Sequence, residues 1–160
     1  MSIKVGDKLP SLTLTIPTAE GPRALDTAEF FAGKTVVLFA LPGAFTPTCS
    51  AKHLPGFVEK ADELKAKGVD AILCLSVNDV FVMDAWGKDQ KVGDKVTLVA
   101  DGVGEFTKAV GLEFDLTSRG LGLRSQRYAL IAKDGVVTWL AVEEGGGFAV
   151  SSAEAVLKAL

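Results

Sequence analysis

The sequence predicts an α/β domain, a central mixed β-sheet flanked by helices on both faces, and three observations carry that prediction. Strand-like and helix-like apolar patterns alternate along the chain. One run, Thr35 to Leu41, is apolar and rich in β-branched and aromatic residues, as a strand buried on both faces is. Later, two strand-like runs flank Asp134 and Gly135, a dipeptide favoured in tight hairpins. A length of 160 residues, 48% of them hydrophobic and 23% charged, suits a single domain over residues 1–160 with one core.

Taken in order, Leu12 to Ile16 alternates weakly as a first strand, and Pro17 to Arg23 reads as a loop. Thr35 to Leu41 is expected at the centre of the sheet. After the turn Pro42 to Thr48 comes a helix with Leu54, Phe57, Val58, Ala61 and Leu64 on one face, closed by Lys65, Lys67 and Gly68. Val69 to Val77 is a second buried strand. Asn78 or Asp79 caps a helix carrying Phe81, Val82, Ala85 and Trp86, and Val96 to Ala100 is a third strand. Right-handed crossovers make these three strands parallel neighbours. Arg127 to Ala132 and Val136 to Val142 form the antiparallel pair, and Ser151 with Glu154 is a capping-box signal for a last helix, Ala153 to Leu160. With βαβ first and ββα last, the arrangement is thioredoxin-like.

Composition excludes several function classes. The net charge is -3 and no stripe of Lys and Arg stands ready to neutralise phosphates, so no nucleic-acid partner is expected. The longest apolar run, Val36 to Ala44, is interrupted by Pro42 and Gly43 and falls short of the roughly 20 residues a membrane span needs. Met1 to Pro10 lacks the pattern of a signal peptide and the chain ends without a lipidation box, so a cytoplasmic location and no membrane contact are expected. Two cysteines, Cys49 and Cys74, are too few for a disulfide scaffold, and one histidine without a close Cys pair predicts no metal site. The glycines at 102, 104, 120, 122 and 145–147 match no phosphate-binding spacing and read as turn residues.

The informative stretch is Pro42 to Cys49, between a buried parallel strand and a helix, where ligand sites of open α/β sheets collect. Thr46 suits an N-cap and Pro47 the first helical position, which puts Cys49 in the first turn, among N–H groups that favour a thiolate. A free thiol with a pKa near 8.5 is less than about 10% ionised at neutral pH. Lowering it to about 6 takes roughly 3.4 kcal/mol, and a helix terminus supplies about 0.3 to 2. A cation from elsewhere is therefore needed. Arg119, Arg124 and Arg127 cluster around a glycine-rich turn, and Arg127 directly precedes a strand, a rigid position from which a guanidinium can reach the sulfur. On the residues alone, an inert half-buried Cys49 stays open as the alternative. Cys74 lies inside an apolar strand and reads as a small core residue. His53 shares a helical face with Cys49, which would suit a Cys-His hydrolase, but no Asp or Asn is evident to orient it. A solvated or pocket-rim position is expected for it.

The spacing P-x-x-x-T-x-x-C, carried by Pro42, Thr46 and Cys49, resembles the active-site pattern of the peroxiredoxins, in their type II, peroxiredoxin-5-like branch. The resemblance continues through Lys52 to Phe57, Cys74 to Asp79 and Arg124 to Tyr128, and so spans nearly the whole chain. It implies a thiol-dependent peroxidase in which Cys49 attacks the O–O bond of hydrogen peroxide or an alkyl hydroperoxide and becomes a sulfenic acid. Thr46, through its hydroxyl, and Cys49, through its amide, would hold the peroxide oxygens. Arg127 would stabilise thiolate and leaving oxygen, and Pro42 would wall the pocket. No cofactor is implied. Members that close an internal disulfide carry a resolving cysteine near Gly145 to Ser151, and this chain has none there. It therefore resembles a one-cysteine enzyme recycled by an external thiol, glutathione with glutaredoxin before thioredoxin, in antioxidant defence.

The resemblance also implies a homodimer formed through the loops around the site. Phe45, Phe81 and Trp86, taken singly, read as core. Pro55 and Gly56 weaken the coupling of the first helical turn to the rest, so this turn is expected to unwind after oxidation. Two other function classes fit the residues less well. A silent thioredoxin-like binding module needs no Thr46, Cys49 and Arg127 together, and a dithiol oxidoreductase wants C-x-x-C, whereas position 46 is threonine.

Overall fold

The computed structural model describes residues 2–160. Its elements, in chain order, are β1 (Thr13–Thr18), β2 (Gly21–Asp26), α1 (Thr27–Phe31), β3 (Thr35–Leu41), a π-helical turn (Cys49–His53) running into α2 (Leu54–Ala66), β4 (Ala71–Ser76) and α3 (Val80–Asp89). Then come β5 (Thr97–Ala100), α4 (Glu105–Val110), β6 (Glu113–Leu116), β7 (Gly122–Ser125), β8 (Tyr128–Lys133), β9 (Val136–Val142) and α5 (Ala153–Ala159). The main sheet runs β2-β1-β5-β4-β3-β8-β9, with β6 and β7 a separate hairpin. β3, β4 and β5 are parallel and the other neighbours antiparallel, which is the thioredoxin-like mixed sheet.

Strand alternation divides the core into two layers. Val37, Phe39, Leu41, Ile72, Cys74 and Ala129 meet Phe57, Leu64, Trp86 and Val156 on the face of α2, α3 and α5. Val36, Leu38, Leu75 and Leu130 meet Phe31 and Phe106 on the opposite face, under α1 and α4. The parity decides the site: Arg127, two residues before Ala129, extends the α2 face.

Several expectations need correction. Pro17 to Arg23 is not a loop but the middle of the β1–β2 hairpin, with Pro17 opposite Pro22. β2 is an edge strand, where a missing N–H is tolerated. The last helix is capped by Ser152, whose Oγ accepts from Ala155 N at 3.2 Å, and Ser151 is buried instead. α4 and the β6–β7 hairpin carried no readable signal. The cap of α4 is Asp101, four residues before the helix begins, whose carboxylate accepts from Phe106 N and Thr107 N at 3.1 and 2.9 Å. The Asp134–Gly135 turn has φ of 51° and 77°, the doubly left-handed geometry that this dipeptide favours. Among the described residues no helix is long and apolar enough to cross a membrane.

Candidate active site

β3 delivers the chain to the C-terminal edge of its parallel strands, and residues 42–48 turn there before the helix. The loop is pinned by β4's end: Ala44 N donates to Asn78 Oδ1 at 2.9 Å, and Ser76 Oγ donates to the same oxygen at 2.6 Å. Arg124 fastens it from β7, its Nη1 reaching the carbonyls of Val77 and Pro42 at 3.2 and 3.4 Å. Arg124, one of the three clustered arginines, is therefore a staple for the loop and not a partner of the sulfur. Arg119 is exposed in a short 3-10 turn. Gly43 permits a close approach, since a Cβ there would crowd Arg124 Nη1 at 3.0 Å and Thr46 Cγ2 at 3.2 Å.

Helical geometry starts at Pro47, as its preference for a first turn predicts. The carbonyl of Thr46 accepts from Ser50 N at 3.0 Å, but its hydroxyl makes no cap: Oγ1 donates to Gly43 O at 2.6 Å. With its proton committed, that oxygen offers lone pairs to a donor in the site. Cys49 then opens a π-helical turn closed by Leu54 N to Cys49 O, where Pro55 has no N–H to continue a regular ladder.

Cys49 is fully buried, and Arg127 Nη2 donates to its Sγ at 3.3 Å. Arg127 is 5% exposed, and the ion pairs among the described residues, Lys4–Asp7, Lys60–Glu63 and Lys88–Asp84, do not include it. A buried guanidinium without a carboxylate is costly unless some other anion faces it. A Cys49 thiolate meets that need. The structure thus brings Cys49, Thr46, Pro42 and Arg127 to one end of the sheet.

His53 is not at a rim. It is 1% exposed, with Nδ1 at 3.0 Å from Arg127 Nη1 and Nε2 at 2.9 Å from Ser151 O. Burial, and then the charge of Arg127, lower its pKa from 6.5 to about 3, so the ring is neutral. Its i, i+4 spacing from Cys49 was the available signal. Phe148, whose ring centroid lies 5.0 Å from that of His53, and Glu143, which folds residues 144–151 over the site, had no local signature. Cys74 sits opposite Phe39 in mid-sheet, and burial pushes its thiol well above the ordinary range. Of the three aromatics read as core, only Trp86 is buried, donating from Nε1 to Ser50 Oγ at 3.0 Å; Phe45 and Phe81 are 54% and 72% exposed. Among the described residues no cluster of His, Cys, Asp and Glu could hold a metal ion.

Comparison with known proteins agrees with this constellation. Residues 4–157 match the Redoxin family. The chain is 56% identical over 163 residues to the chloroplastic Peroxiredoxin-2E of Arabidopsis thaliana, covering 99% of this chain and 70% of that protein. It is 55% identical over 161 residues to Peroxiredoxin-2B of the same plant, covering 99% and 98%. A crystal structure of reduced Prx3 from Vibrio vulnificus in complex with hydrogen peroxide superposes with a TM-score of 0.94 and 55% identity, covering 98% of both chains.

Proposed function

The chain belongs to the peroxiredoxin family and is a thiol-dependent peroxidase, and from that premise we propose that Cys49 is its peroxidatic residue, acting on hydrogen peroxide and alkyl hydroperoxides. The observation that carries this reading is the buried Arg127 guanidinium lying 3.3 Å from Cys49 Sγ with no carboxylate to neutralise it.

The Cys49 thiolate attacks one peroxide oxygen; an S–O bond forms, the O–O bond breaks, and the sulfur is oxidised to sulfenic acid. The departing oxygen leaves with the bonding pair and takes a proton to become water or an alcohol. Thr46 Oγ1, its own proton given to Gly43 O, accepts from the peroxide O–H and turns the O–O axis toward the sulfur. Arg127 faces the charge as it moves from sulfur to leaving oxygen, and worth of this kind is greatest in a site that excludes water. Pro42, half-buried beside them, narrows the approach.

Recycling follows by attack of an external thiol on the sulfenic acid, releasing water and leaving a mixed disulfide. Residues 145–151 hold no cysteine and Cys74 is buried in the sheet, which supports glutathione with glutaredoxin as reductant ahead of thioredoxin. Exposed Phe45 and Phe81 support a homodimer through the loops around the site, and two free cysteines support a cytoplasmic location. The test is peroxide consumption with either reductant pair in wild type, Cys49→Ser and Cys74→Ser. Activity should vanish in the first variant and stay near normal in the second. Activity surviving in Cys49→Ser would overturn the reading.

A further inference from the structure

Two buried groups outside the Pro42, Thr46, Cys49 and Arg127 set lie in a hydrogen-bonded line that ends on the reacting sulfur. Glu143, directly after β9, is 4% exposed. One carboxylate oxygen accepts from Ala149 N at 2.8 Å, and the other accepts from Val150 N and Ser151 N at 2.8 Å and from Ser151 Oγ at 2.7 Å. Burial opposes its ionisation, yet these hydrogen bonds bring the carboxyl below its ordinary value, so it is an anion in the folded protein. The loop over the site is thereby gathered onto one charge, and the Ser151 carbonyl is set against His53 Nε2.

A carbonyl only accepts, so Nε2 carries the ring proton and Nδ1 is the acceptor. Arg127 Nη1 donates to Nδ1 while Nη2 donates to Cys49 Sγ. The two arms of the fork are held at once, which fixes the guanidinium plane. A neutral acceptor has a further consequence. A carboxylate at this position would compete with the sulfur for the cation, whereas uncharged imidazole orients Arg127 and leaves its charge for the thiolate. The same geometry disposes of the Cys-His hydrolase alternative, because Nδ1 is occupied by Arg127 and Nε2–H by Ser151.

We propose that His53 and Glu143 are positioning residues for peroxide reduction: Glu143 sets the Ser151 carbonyl, the carbonyl selects the His53 tautomer, and Nδ1 holds Arg127 on the Cys49 sulfur. The proposal rests on the reading of Cys49 as the peroxidatic residue.

His53→Asn places an amide oxygen near the position of Nδ1 and keeps an acceptor for Arg127; His53→Gln reaches toward Ser151 but presents no acceptor there; His53→Leu removes both. Two quantities are read for each folded variant: the second-order rate constant with hydrogen peroxide, and the ultraviolet absorbance of the Cys49 thiolate at near-neutral pH in a Cys74→Ser background. His53→Leu and His53→Gln should react roughly ten- to a hundredfold more slowly and show less thiolate, the loss expected when a charge-assisted hydrogen bond is removed. His53→Asn should recover most of both, and Glu143→Gln should shift both in the direction of His53→Leu by a smaller factor. A purely structural role would lower melting temperature without altering thiolate absorbance or ordering the variants by acceptor. Should His53→Leu not fold, the comparison of Asn with Gln decides. Rates within about twofold of wild type for His53→Gln, or equal losses in Asn and Gln, would overturn the proposal while Cys49→Ser, still inactive, keeps the peroxidase reading standing.

Discussion

Replacing Arg127 by glutamine removes one positive charge and leaves a neutral side chain of similar reach. In the structure Nη2 is 3.3 Å from Cys49 Sγ. Unit charges at that distance attract by about 5 kcal/mol at an effective dielectric of about 20. Part of this is offset by the cost of burying a guanidinium that is 5% exposed. The net worth of a charge-assisted hydrogen bond, about 1.5–3 kcal/mol, sets the lower bound, and the loss of one donor facing transition-state charge, about 2.7–4 kcal/mol, sets the upper. Arg127→Gln should therefore lower kcat/KM for hydrogen peroxide by more than tenfold and up to about 10³-fold. Arg127→Lys should fall between, because an ammonium keeps the charge but cannot hold Nδ1 and Sγ with a planar fork. The assay is the initial rate of peroxide consumption at saturating reductant, with melting temperature as the check on folding. Since a buried cation is itself costly, glutamine should not destabilise the reduced protein by much. A folded Arg127→Gln enzyme within about tenfold of wild type, equivalent to about 1.4 kcal/mol, would refute the assignment of Arg127 to the reacting sulfur.

Three further outcomes are expected. His53 is held from its ordinary 6.5 down to about 3 by burial and by Arg127, so the unfolded chain binds a proton that the folded one does not. Its contribution to stability is complete above about 6.5 and is lost as pH falls toward 3, by at most about 1.4 kcal/mol per unit. The melting temperature of His53→Asn should fall less steeply than wild type across that window, and parallel curves would remove the buried-neutral assignment. Oxidation by one equivalent of peroxide should increase amide exchange over Cys49 to His53, where the π-turn meets Pro55; equal protection in both states would count against unwinding. Mass spectrometry of the same sample should find no major Cys49–Cys74 disulfide, because Cys74 is held in mid-sheet as a protonated thiol.

Which parts of this were legible in the chain follows from how local each interaction is. β3, α2, β4 and the Asp134–Gly135 hairpin each announce themselves within a dozen residues, through an apolar run, a helical stripe or a turn dipeptide. The β1–β2 hairpin was hidden because Pro17 and Pro22 suppress a strand signal; Pro22 is tolerated on the edge strand β2, and Pro17 lies in β1 beyond its pairing with β5 at Thr15. α4 was hidden because its cap, Asp101, stands apart from the helix it starts. Around the sulfur, Pro42, Thr46 and Cys49 belong to one short segment, and Arg127 is conspicuous by opening a strand.

The sequence by itself determined that a cysteine would follow a buried strand at the start of a helix, because local propensities and the Pro47 first turn suffice for that. Only the tertiary structure decided which of three arginines meets the sulfur. Strand parity turns Arg127 to the α2 face, while Arg124 is spent on the carbonyls of Pro42 and Val77. It also decided that His53 is an interior acceptor and not a rim group, since the Ser151 carbonyl that sets its tautomer arrives from 98 residues away. Hydrogen bonds between distant segments leave no trace in a local pattern; they exist once packing has brought the segments together and made an unpaired polar group expensive.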